Sequence, residues 1–262
     1  MNLCLKDFQI KLIAIYLVVI MGGLIIPCYG QVNMGEFRVT IDSIFQRLEE
    51  SFLSIKDYTV KVKITVKMPG FRMPKKKVKL YFKQPDKLKV KTRGFAIIPK
   101  SGLATSSGNL LKGLNNPHIT GLDTLEGNLL WVVEGSLGAS SGDHKTWTFM
   151  KDESKRMLMR LWIDLEKGVV PRVETYIDTM KIMTVKSTYG KFGEEFFLPE
   201  VTDIQFHIKG DFVEALHREG RGPFGEHEEP GDFELGKDFV GSIRMEFNNY
   251  KINQGLKDKI FE

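Results

Sequence analysis

Tyr58-Thr59-Val60-Lys61-Val62-Lys63-Ile64-Thr65-Val66-Lys67-Met68 decides the fold, because its side chains alternate with a period of two. Tyr58, Val60, Val62, Ile64, Val66 and Met68 take one side, and Lys61, Lys63 and Lys67 take the other. This is a strand with one face on a core and one in water. Downstream, Pro69-Gly70 begins a turn, and Lys77 to Lys83 resumes the pattern with Val78, Leu80 and Phe82 opposite Lys77, Lys79 and Lys83. Pro85-Asp86 closes that strand, and Leu88 and Val90 against Lys87, Lys89 and Lys91 open a third. Three such strands joined by short turns form an antiparallel meander. Upstream, between Glu36 and Asp57, Ile41, Ile44, Phe45, Leu48, Phe52 and Ile55 recur at spacings of three and four, which predicts an amphipathic helix.

Further along, periodicity fades between Gly94 and His118 into a mixture that holds either a loop or one short helix near Leu110 to Leu114. Strand signals return at Leu129 to Glu134, Thr146 to Met150, Arg156 to Asp164, Val169 to Asp178 and Met180 to Ser187. Leu165-Glu166-Lys167-Gly168 reads as a hairpin turn between two of them. Phe196 to Ile208 and Gly241 to Ile252 complete the series, separated by a glycine-rich, acidic stretch from Gly210 to Asp238 that reads as a long exposed loop. So many strands without intervening helices predict a large antiparallel sheet, a mainly β (α+β) fold. Its apolar face must curl inward, pair with another sheet or be covered by helices.

The first 30 residues carry a different signal. Lys6 and Lys11 precede an apolar run from Leu12 to Pro27, and the small-residue exit Cys28-Tyr29-Gly30 predicts an export signal cut before Gln31. The working chain, residues 31–262, is then one domain in the periplasm, outside the cytoplasm. Two alternatives tether it to a membrane: an uncleaved anchor, or lipidation of Cys28, although Pro27 stands where a small residue is expected. Cys4 and Cys28 are the two cysteines, so cleavage leaves no thiol for a disulfide, metal or nucleophile. The formal charge of +5 suits solubility or, in an exported protein, an anionic surface more than nucleic acid. Thirteen lysines and arginines lie between Lys61 and Arg93, and Lys63, Lys67 and Lys79 are the candidates for head-group or surface contact.

Motifs for catalysis lack their context. Gly138-Ala139-Ser140-Ser141-Gly142 has the letters of a nucleophile elbow but is followed by a strand-like stretch where a helix is required. Gly220-Arg221-Gly222-Pro223-Phe224-Gly225 matches a dinucleotide fingerprint, yet no strand precedes it and Pro223 stands where backbone donors should open a helix. His217, His227, Glu228 and Glu229 have no metal-site spacing, and His118, His144 and His207 stand alone. The expectation is a non-enzyme with no metal and no cofactor.

Taken in order, several phrases resemble the outer-membrane lipoprotein carrier family, the LolA-like proteins, and its branch of outer membrane lipoprotein-sorting proteins. They are Leu80-Tyr81-Phe82-Lys83-Gln84-Pro85-Asp86-Lys87-Leu88-Lys89-Val90, Leu125-Glu126-Gly127-Asn128-Leu129-Leu130-Trp131-Val132-Val133, Leu161-Trp162-Ile163-Asp164, Pro171-Arg172-Val173-Glu174 and Leu198-Pro199. Asn249 to Phe261 is similar to the family's closing phrase. The resemblance implies an unclosed, curved antiparallel half-barrel with an N-terminal helix and short helices over an apolar cavity for acyl chains. It also implies a monomeric carrier that passes a lipoprotein or lipid between inner- or outer-membrane partner proteins. Cavity candidates are Val62, Ile64, Val66, Leu80, Phe82, Leu88, Val90 and Trp162. The carriers hold their helical lid with an arginine just before the proline of the second strand, and here that lid-control position is Gln84. Two other readings remain: an envelope-stress sensor or interaction module of RseB type on the same half-barrel, and an exported hydrolase.

Overall fold

The computed structural model describes residues 39–67, 74–92, 107–137, 157–193, 196–210 and 237–262. The export segment with Cys4 and Cys28 lies outside these residues, as do the Thr146–Met150 strand, Ser140, His144, and the histidine and fingerprint motifs of the Gly210–Asp238 loop. The ends of that loop are described. Asp238 accepts a bond from the Gly210 amide at 3.1 Å and lies 3.2 Å from the His207 ring, which is exposed as expected of a solvent-side strand residue.

Helix α1 (Ile41–Leu53) begins at Thr40, whose hydroxyl accepts from the Ser43 amide while the Ser43 hydroxyl accepts from the Thr40 amide. This reciprocal cap satisfies two amides that have no partner within the helix. The period of three and four then puts Ile44 and Leu48 on the buried side. A second short helix, α2 (Ser107–Lys112), resolves the ambiguity between Gly94 and His118 in favour of a helix, slightly earlier than its apolar residues suggested.

The period-two segments become ten strands: β1 (Asp57–Lys67), β2 (Lys76–Lys83), β3 (Lys87–Lys91), β4 (Leu114–Leu125), β5 (Asn128–Leu137), β6 (Met157–Asp164), β7 (Val169–Ile177), β8 (Met180–Phe192), β9 (Phe196–Ile208) and β10 (Phe239–Ile252). They join in one sheet in the order β3-β2-β1-β10-β9-β8-β7-β6-β5-β4, every neighbouring pair antiparallel. Edges β3 and β4 leave the sheet unclosed, and it forms an open, curved half-barrel. Most connections are local, but β1 pairs with β10, the last strand, setting Val62 against Phe247, Ile64 against Met245 and Val66 against Ile243.

Strand β4 has no counterpart in the sequence reading. Its register with β5 slips between Asn115 and His118 and again between Ile119 and Gly121, and Asn116 takes a φ of 50°. Each bulge inserts an unpaired residue, and where burial does alternate, from Asn116 to Leu122, the less exposed positions are Pro117, Ile119 and Gly121, which do not read as an apolar strand face. Pro117 is tolerated because β4 is an edge. Strand β8 likewise runs to Phe192, beyond its expected end at Ser187, after a register shift at Thr188 and Tyr189.

The side of the sheet that carries α1, called the inner face below, holds two apolar clusters. Ile44 and Leu48 of α1 meet Leu111, Leu114, Val133, Leu161, Ile163, Val170 and Val173 in one of them. The other is built from β1, β2, β8, β9 and β10, with Ile55 after the helix and Phe52 in its last turn packed against it.

Candidate functional site

Alternation along β1 and β2 sends Val62, Ile64, Val66, Leu80 and Phe82 to the inner face, where all five are buried in one cluster. Leu88 and Val90 on edge strand β3 are partly buried and pack against it. The sequence reading missed that Ile204 and Phe206 of β9 and Ile243, Met245 and Phe247 of β10 complete the same surface. Their alternation was visible, but only the β1–β10 and β10–β9 registers bring them together. At one end of this face the rings of Phe52, Phe82, Tyr58, Tyr250 and Phe192 follow one another with centroids 4.7–5.7 Å apart. Burial raises the hydroxyls of Tyr58 and Tyr250 well above the ordinary tyrosine value, so both stay neutral there.

Trp162 does not join this surface. Its neighbours Leu161 and Ile163 face α1, so the pleat turns Trp162 to the opposite, outer face with Leu130 and Val132. There its indole N–H donates to Asp123 at 2.8 Å, and the Arg172 guanidinium lies 4.6 Å from its ring. Beside it, the buried Glu174 accepts bonds from Tyr176, Arg172 and Lys181. Burial by itself would raise this carboxyl, but those three donors outweigh it and hold it at about 2. Tyr176 is pushed up to about 12 by burial and by Glu174.

Helix α1 is fastened by polar bonds at two places. The Arg47 guanidinium donates to the carbonyls of Leu165 and Glu166 at 2.9 and 2.6 Å, and the Ser51 hydroxyl donates to the carbonyl of Gly168 at 2.8 Å. The Leu165–Gly168 turn was legible, but nothing in the sequence tied it to the helix. At the other end, the Gln84 side-chain amide donates to the carbonyls of Phe52 and Ile55, both at 2.9 Å. Carbonyls at a helix end lack intrahelical partners, so Gln84 supplies donors where they are needed. The closing phrase also docks here: Asp57, buried, accepts from the amides of Gln254, Gly255 and Leu256, and Asn253 bonds Lys56 and Ser54.

On the outer face, Lys63 bonds Glu246 at 2.5 Å, Lys79 lies over the Tyr81 ring, and Lys67 is exposed near the end of β1. Among the described residues, no group of three or more His, Cys, Asp or Glu is placed to hold a metal ion, and no helix is long and apolar enough to cross a membrane.

Solved structures match this architecture. A domain from Vibrio parahaemolyticus described as an outer membrane lipoprotein-sorting protein superposes with a TM-score of 0.50 at 11% identity, over 84% of this chain and 94% of that one. The chain shares that domain's fold. A DUF1329 family protein from Desulfovibrio piger matches with the same TM-score and identity over 85% of this chain and 97% of that one. A LolA superfamily protein from Nitrosomonas europaea gives 0.46 at 12% identity, over 86% and 98%. No family model matches the sequence, and no curated protein does.

Proposed function

We propose that this protein is an exported, non-catalytic carrier that holds the acyl part of a lipoprotein or lipid on the inner face of the half-barrel and passes it between membrane partners. The observation that carries this reading is the inner face itself: one apolar cluster, buried in this structure, that runs from β3 through β10 to β8 and is bordered by a helix with hydrogen bonds to Gln84 and to the Leu165–Gly168 turn. Such bonds contribute about 1 kcal/mol each net of water, and they act beside the burial of Ile44 and Leu48, which anchors the first half of the helix while its last turn rests on Gln84. Each buried methylene gains about 0.8 kcal/mol, so one long acyl chain gains on the order of 10 kcal/mol against a dry apolar surface. Val62, Ile64, Val66, Leu80, Phe82, Leu88 and Val90 form the proposed contact surface, and residues 31–262 the working domain. The fold shared with a lipoprotein-sorting domain supports the same reading, and the export signal expected from residues 1–30 supports a place in the periplasm.

Native mass spectrometry of the protein purified from its own host tests it. A bound lipid or acylated partner is expected. An empty protein that also fails to take up a fluorescent fatty acid saturably would overturn the carrier.

A further inference from the structure

The outer face of β10, β1, β2 and β3 forms a groove of about 720 Å³. Its charged lining is Lys61, Lys63, Lys77, Lys79, Lys91 and Glu246, which leaves four net positive charges. Strand register sets these lysines against each other: Lys61 stands directly opposite Lys79, Lys63 opposite Lys77, and Lys79 opposite Lys91. Like charges directly opposite one another in an antiparallel pair are destabilising. Elsewhere the fold relieves such a clash, since Lys83 and Lys87, also opposed, share Asp258 at 2.8 and 3.0 Å. In the groove, Glu246 bonds Lys63, while Lys79 and Lys91 lean on the Tyr81 ring at 4.8 and 5.4 Å.

Edge protection does not account for this arrangement. Lysines guard strands with unpaired backbone, and that explains β3 and Lys77, which lies beyond the reach of β3, but β1 lies inside the sheet and β2 is paired on both sides from Lys79 to Lys83. A repulsive set on interior strands calls for an anion that offsets it.

We infer that the groove is a docking surface for the anionic phospholipid head groups of a bilayer. Its cations are lysines, compact point charges on flexible stems, and not the planar forks of arginine that read a carboxylate or phosphate in fixed geometry. That chemistry suits many mobile head groups better than one shaped ligand. An acidic peptide fits less well, because the backbone of β1, and of β2 from Lys79 to Lys83, is already spent in the ladder and leaves it only the five-residue edge β3 to pair with. Nucleic acid fits poorly too, since among the described residues Tyr81 is the one ring beside these lysines and stacking platforms need several. The surface goes beyond acyl carriage and does not depend on it: β1 presents Lys61 and Lys63 outward and Val62 and Ile64 inward.

The test is co-sedimentation of the protein after removal of its export segment, residues 31–262, with vesicles of phosphatidylcholine alone and of phosphatidylcholine mixed with phosphatidylglycerol. Binding is expected to the mixed vesicles only, and it should fall as salt is raised from about 0.1 M to about 1 M, where the Debye length shrinks from about 10 Å to about 3 Å. Each of Lys61→Gln, Lys77→Gln, Lys79→Gln and Lys91→Gln should lower the partition coefficient about fivefold. Lys191→Gln, the same charge change outside the groove, should lower it less. Melting temperature of the fourfold variant should stay level or rise, because the substitutions relieve repulsion. Equal binding to both vesicles, or an equal loss with Lys191→Gln, would overturn the inference. So would binding of poly-glutamate without binding of mixed vesicles, which would point to an acidic protein partner.

Discussion

Replacing Gln84 tests whether the helix end is a latch. Gln84→Ala removes two donors of 2.9 Å, to the carbonyls of Phe52 and Ile55, while the backbone amide of residue 84 keeps its bond to the Lys56 carbonyl. The Phe52 carbonyl retains a second donor, the Ile55 amide at 3.1 Å, so the loss there is partial. At about 1 kcal/mol per bond the total is about 1–2 kcal/mol. That corresponds to a fall in melting temperature of roughly 2–8 °C for a domain of this size. If lipid leaves by way of the lifted helix end, release speeds up about 5–30-fold for the same energy. Gln84→Glu should be worse than alanine, because a carboxylate cannot donate to carbonyls and sets a negative charge against the negative end of the helix dipole, a further cost of about 0.3–1 kcal/mol. Gln84→Arg should slow release, since a guanidinium makes charge-assisted bonds to the same carbonyls. Stopped-flow release of a fluorescent fatty acid and a thermal melt read all three. An alanine variant with unchanged melting and release, or a glutamate variant no faster than alanine, would refute the latch.

Glu174 has a folded value of about 2 against an ordinary 4.5, so its contribution is present above about pH 4.5 and is lost as pH falls toward 2. The stake is about 1–3 kcal/mol after solvent screening, and Glu174→Gln should flatten the acid limb of a stability–pH curve measured in urea; an unaltered limb would mean the cluster carries no acid sensitivity. Gly168 has a φ of +65°, and a Cβ there would lie 2.5 Å from the Ser51 Cβ. Gly168→Ala is therefore expected to cost more than about 1 kcal/mol in a urea titration and to loosen α1 as seen by hydrogen exchange, whereas a neutral outcome would mean the turn does not hold the helix. Ile64→Asn separates a binding surface from a sealed core. A lipid-lining position should lose less than about 2 kcal/mol of stability and more than about tenfold in fatty-acid affinity, and the reverse pattern would remove β1 from the site.

Local periodicity determined much of this protein. The spacing of Ile41, Ile44, Leu48 and Phe52 specified α1, and alternation specified β1, β2, β3, β9 and the faces on which Val62 and Lys63 lie, because period 3.6 and period 2 are backbone geometry read directly in residue type. In β4, with two bulges and with Pro117 and Gly121 at less exposed positions, the signal vanished although the strand did not. Composition could not place Trp162, whose side follows from its pleat neighbours and from which face of β6 meets α1. Tertiary structure alone decided the contacts that matter for the proposed site. The Gln84 amide meets carbonyls 29 and 32 residues away, Arg47 meets a turn 118 residues on, and Lys63 meets Glu246 across 183 residues. The opposed lysines show the division most plainly: each strand's own pattern says only that its lysines face water, and the register between strands, fixed by burying the apolar sides together, sets them in front of one another.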